Sequence, residues 1–124
     1  MDEFLANVPW GILKIESVGG DGDIPDADPD HRPVSANETC VTVVVLHGDF
    51  GQVRVRIGKD VVVEEGAVAF SGIIACPTRM LEISDVVGDT SYLQLPVSAD
   101  RVAVTVGLDR LEMAEVVTIG LREL

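Results

Sequence analysis

The chain has 124 residues, enough for one domain with its own hydrophobic core and no need of disulfide or metal staples. Its formal net charge is −12, and so acidic a surface repels phosphate backbones and anionic headgroups, which argues against nucleic-acid and membrane partners. No apolar run approaches bilayer-spanning length, and MDEFLANVPW lacks the basic start and apolar centre of a signal peptide, so a cytoplasmic protein is expected.

Apolar residues make up 47% of the chain, yet only five are aromatic; the bulk is Val, Ile, Leu and Ala, a mixture that favours strands. Residues 1–7 carry little pattern and read as a short helical turn or a frayed end. Trp10 reads as a strand-start or core anchor, and GILKIESV (11–18) as a strand of near period two. Residues 19–37 show no apolar periodicity and read as one long acidic loop. CVTVVVLHG (40–48) has the unbroken apolar character of a central strand, GDFG (48–51) that of a turn. QVRVRIG (52–58) alternates, with Val53, Val55 and Ile57 facing in and Arg54 and Arg56 facing out.

VVVEEG (61–66), AVAFSGIIA (67–75), RMLEIS (79–84), SYLQLPV (91–97), RVAVTVGL (101–108) and EVVTIGL (115–121) complete the series, separated by charged or turn-forming breaks. LDRLEMAEV (108–116) has helical spacing in Leu108, Leu111 and Ala114, but is short enough to be a hairpin connection. About nine short strands at this spacing predict an all-β fold, an antiparallel β-sandwich of Greek-key or jelly-roll type, as a single domain over residues 1–124.

Within the acidic loop, Asp21, Asp23, Asp26, Asp28 and Asp30 fall in ten positions with no Lys or Arg between them. Removing these five charges leaves −7, so the acidity is global and the loop concentrates it. Asp26, Asp28 and Asp30 have the alternate spacing of a calcium loop, but Pro29 interrupts it and neither the turning Gly nor the closing Glu stands where an EF-hand requires it. A hydrated loop, able to meet a basic protein surface, is the better reading. Cys40 and Cys76 sit in strand contexts without a CxxC pair and read as buried thiols, with no metal site or redox centre indicated.

His31 and His47 are too few for a multi-histidine metal site, and His47 beside Asp49 has no nucleophile placed next to it by a recognisable motif. No dinucleotide, phosphate-loop or zinc-protease signature is present, so no cofactor and no catalytic residues are assigned. Arg54 and Arg56 form a basic stripe that either neutralises carboxylates on a neighbouring strand or clamps an acidic loop.

SGIIACPTRMLEISDV followed by SYLQLPVSADRVAVTVGL resembles the C-terminal part of the bacterial competence protein J family, through Leu81–Asp85, Leu95–Pro96 and Arg101–Val106. The resemblance extends mainly over residues 40–121, with a looser match in the first half. Members of that family pair with a DNA-entry nuclease as its inhibitor. The resemblance implies a small acidic β-sandwich that works by binding a basic protein. It carries no binding residues across.

Two functional readings follow. The first is a non-catalytic protein-binding module, an acidic inhibitor or immunity-type partner of a basic enzyme, with the five loop Asp residues as the contributing patch. The second is a structural β-sandwich that self-associates as a homodimer, suggested by a mean hydropathy of +0.31, high for so charged a chain.

Overall fold

A computed structural model describes residues 1–19, 24–25, 32–87 and 90–124. Among these residues the regular structure is ten strands and two single-turn 3₁₀ segments, with no α-helix. The strands are β1 (Asp2–Ala6), β2 (Ile12–Ser17), β3 (Val34–Ala36), β4 (Cys40–Val44), β5 (Val53–Gly58), β6 (Val68–Ala75), β7 (Met80–Asp85), β8 (Ser91–Pro96), β9 (Arg101–Leu108) and β10 (Val116–Glu123). They form two five-stranded sheets, β1-β5-β10-β9-β6 and β3-β4-β2-β7-β8, stacked as a β-sandwich. Every pairing is antiparallel except that of β5 with β10, where Val117 lies beside Val55 and Ile119 beside Ile57.

The core lies between the sheets. Leu13, Ile15, Val41, Val43, Leu81 and Ile83 line one inner face, and Val53, Val55, Ile57, Val104, Val106, Val117 and Ile119 the other, all buried. β-branched side chains dominate because they pack well on a pleated surface and hold one rotamer. Cys40 and Cys76 are buried thiols.

Three expectations are corrected. Residues 2–6 are a strand, β1, whose Phe4 and Ala6 face the core while Arg54 and Arg56 of β5 both bind Glu3 on the outer face, at 2.5 and 3.1 Å. The basic stripe therefore neutralises a neighbouring strand. The acidic loop is shorter than expected, since β3 begins at Val34. VVVEEG pairs with no strand: it is the connection that carries the chain from β5 to β6 across the outer face of β10 and β9. Val61 and Val63 turn down and Val62 is exposed, so the segment is a strap docked on a sheet and not a strand of one. Residues 109–115 form the hairpin connection between β9 and β10.

The strap lies low because two glycines leave room for it. A Cβ on Gly107 would stand 2.5 Å from Val63 Cγ1, and one on Gly120 would stand 3.0 Å from the Val61 carbonyl oxygen. Gly107→Ala is expected to cost about 1–3 kcal/mol, the usual range for overpacking. Adding Val63→Ala should recover much of that loss; strictly additive losses in urea unfolding of the two single variants and the double would show that the strap does not rest on Gly107.

Candidate functional site

β2 and β3 both pair antiparallel with β4, so they run the same way and the connection between them is a crossover. Its flanks, Gly19 and Arg32, therefore stand at opposite ends of that sheet. Asp21, Asp23, Asp26, Asp28 and Asp30 lie outside the described residues, as does His31. The described residues bring together a different set of side chains, at the end of the sandwich where Arg32 and Pro33 arrive; the Pro33 carbonyl there accepts the Val44 N–H at 2.7 Å.

Three connections meet at that end: residues 7–11 between β1 and β2, 45–52 between β4 and β5, and 109–115 between β9 and β10. Backbone hydrogen bonds tie them into one unit. Gly48 N–H donates to Val8 C=O at 2.9 Å, Val45 N–H to Gly11 C=O at 2.7 Å, and Leu46 N–H to Ala114 C=O at 3.0 Å. The Asn7 amide adds two more, donating to the carbonyls of Gly48 and Gly51 at 3.0 and 3.1 Å.

On this scaffold large apolar side chains face outward. Trp10 is 73% exposed, Phe50 77%, Leu111 71% and Met113 56%. Trp10 stands just ahead of β2, as a strand-start residue would, but it is no anchor in the core, and its backbone shows why. Gly11 N–H closes a four-residue turn on Val8 C=O at 3.0 Å, and Trp10, third in that turn, has φ 63° and ψ 0°. This is the left-handed region that Gly and Asn normally fill, and for other residues it costs about 1–2 kcal/mol. From that conformation the indole leaves the protein. An exposed tryptophan held in a strained backbone gains the fold nothing through burial, and such outliers concentrate where a protein binds something. Met113, with φ 50°, repeats the feature on the neighbouring hairpin.

His47 stands beside Trp10's turn. Its Nδ1 accepts the Asp49 N–H at 3.1 Å, the Asp49 carboxylate lies 3.7 Å from the same nitrogen, and Phe50 meets the ring edge-on at 6.0 Å. This is loop geometry: the imidazole nitrogen nearest the carboxylate is occupied by a backbone donor. Among the described residues no three of His, Cys, Asp and Glu come together as a metal site would require.

Below the loops, at the rim of the core, Tyr92 of β8 stacks on Phe4 at 5.5 Å and donates to the buried Asp85 carboxylate at 3.3 Å. Burial, reinforced by the Asp85 charge and that hydrogen bond, pushes the phenol up to about 12. Sequence reasoning could not find Asp85, because the residue ends a strand whose alternation places it inward beside Leu13.

No family model matches the chain, and no curated protein sequence does. A solved structure does: the crystal structure of ComJ, inhibitor of the DNA degrading activity of NucA, from Bacillus subtilis, superposes with a TM-score of 0.66 over 100% of this chain and 96% of that one, at 8% identity. The two chains share a fold. The resemblance read from the strand and turn pattern is met at the level of architecture, and 8% identity carries no residue across.

Two outcomes test this description. Trp10→Gly should leave the thermal midpoint unchanged or raised, since relief of about 1–2 kcal/mol of left-handed strain offsets the entropy that Gly adds to the unfolded chain; a midpoint lowered by more than about 4 °C would mean that the indole holds the fold together. The Tyr92 phenol, raised in the fold above its ordinary value of 10.0, contributes stability below pH 10 that is lost as pH rises through about 12. Tyr92→Phe should therefore flatten this alkaline limb in denaturant titrations, and an unchanged difference between the two proteins across pH 9–12 would contradict it.

Proposed function

We propose that the chain is a non-catalytic protein-binding module that captures a basic enzyme, as an inhibitor or immunity-type partner, in the cytoplasm. The observation that carries this reading is the strained, exposed Trp10 on a pinned loop platform with Phe50, Leu111 and Met113. Tryptophan is among the residues that anchor protein interfaces, and backbone strain concentrates at binding sites. The net charge of −12 supplies the second element, a field that speeds encounter with a cationic surface and turns anionic ones away. The fold shared with ComJ, an inhibitor of a DNA-degrading activity, adds support. Asp21, Asp23, Asp26, Asp28 and Asp30 belong to the proposal as a steering patch that accelerates association, with the aromatic end as the contact.

Self-association through the same apolar end is the second reading, favoured by the exposure of Leu111 and Met113 on one hairpin connection. Capture from lysate of the source cell at low and high salt, with the immobilised wild type beside Trp10→Ala and a variant carrying Asn at all five loop Asp positions, separates the two. The proposal expects a basic protein whose retention falls in salt, falls at least about tenfold with Trp10→Ala, and is slowed in association by the Asn variant. Salt-insensitive dimerisation in sedimentation, abolished by Leu111→Lys, with no partner captured, would replace it by the homodimer.

A further inference from the structure

We propose that the cleft between Trp10 and Asp49 receives an arginine side chain of the partner, an inference that rests on the protein-binding reading above. The cleft is open to solvent, measures about 360 Å³ and is lined by Asn7, Pro9, Trp10, His47, Gly48 and Asp49. That is the small end of the range for ligand pockets and suits one long side chain better than a cofactor.

Its chemistry selects a cation. Trp10, which lines the cleft, carries the ring system to which cations bind best. The exposed Asp49 carboxylate has no Lys or Arg partner among the described residues, whereas Glu3, Glu16, Glu115 and Glu123 each have one. Asn7 spends both amide hydrogens on Gly48 and Gly51, which leaves its Oδ1 as an acceptor. His47 Nδ1 accepts the Asp49 N–H at 3.1 Å, which holds the imidazole against the turn of Asp49. An indole face, a carboxylate and an amide oxygen together match a guanidinium, which is planar for stacking and carries a fork of donors for oxygen acceptors. Lysine would satisfy the charge but not the plane.

The walls are set before a ligand arrives. A Cβ on Gly11 would stand 2.7 Å from the Val45 carbonyl oxygen, and one on Gly48 would stand 3.0 Å from Val8 N and O. The two turns are therefore in backbone contact, and little ordering remains to be done on binding.

The chain has a single tryptophan, Trp10, so its fluorescence reads the cleft directly. Nα-acetyl-arginine amide should change that emission saturably at millimolar concentration. The neutral isostere Nα-acetyl-citrulline amide should bind at least about fivefold more weakly, and Asp49→Asn should cost the arginine compound about the same factor while leaving the citrulline compound unchanged. Amide NMR shifts at Gly48 and Asp49 should follow the same isotherm. Equal binding of the two compounds, indifference to Asp49→Asn with its thermal midpoint intact, or no saturable response would overturn the cleft. Partner capture distinguishes this from failure of the binding reading: a salt-sensitive partner retained undiminished by Asp49→Asn removes the arginine subsite alone, and the absence of any such partner beside a saturable arginine response removes the functional reading alone.

Discussion

The turn of Trp10 and the turn of Asp49 touch through their backbones, and the character of this end of the molecule depends on that contact. Two glycines permit it: Gly11 against the Val45 carbonyl, and Gly48 against Val8. With no side chain between them, the connection leaving β1 and the connection leaving β4 exchange hydrogen bonds as strands would, although neither is a strand there. Asn7 then ties the second turn from within. Because the backbone is fixed by these approaches, Trp10 is forced into a left-handed conformation and its indole outward, and Phe50 is carried to the surface beside His47. Presentation of the aromatic end is thus a property of main-chain packing.

The electrostatics divide in the same manner. Lys14 binds Glu16 at 3.0 Å, Arg54 and Arg56 share Glu3, Arg110 binds Glu115, and Lys59 binds Glu123. Five of the nine lysines and arginines are paired in this way, while Arg79, Arg101 and Arg122 are exposed with no ion pair among the described residues, and the excess of carboxylates sets the external field. Exposed pairs of this kind add little stability. Their effect is to neutralise more than half of the basic side chains locally, so that the net charge of −12 dominates the approach of a cationic partner.

Most of the sheet framework was legible in the sequence because its signals are local. QVRVRIG alternates, and β5 places Val53, Val55 and Ile57 inward as that pattern requires. Where the reading failed, the deciding contact was remote in sequence. DEFLA has two acidic residues and no clean alternation; it becomes β1 because it pairs with β5, about fifty residues away, sets Phe4 and Ala6 against the core and meets Arg54 and Arg56 through Glu3. VVVEEG has a strand's pattern, yet Gly107 and Gly120 give it a surface to lie on, and no local rule reports that. Trp10 was misread for a general reason: aromatic residues are buried far more often than shown. The one local signal against burial was its place after Pro9 and before Gly11, in a turn. The acidic stretch was the most conspicuous feature of the sequence, and the chemistry that can be described lies instead in short turns with no conspicuous composition.

The arrangement of sheet β1-β5-β10-β9-β6 has a kinetic side. Its middle strand is β10, the last of the ten in chain order, and its first pairing joins β1 to β5 across about fifty residues. Until residues 116–123 are in place, β5 and β9 each lack an inner neighbour, and the backbone edges that β10 will pair are open. Contacts so distant in sequence must be reached by closing large loops, which makes folding slow and concentrates it in a late step. A nascent chain of this topology exposes unpaired, strongly β-forming edges for most of its synthesis, and a high density of negative charge is what keeps such edges from meeting those of another copy.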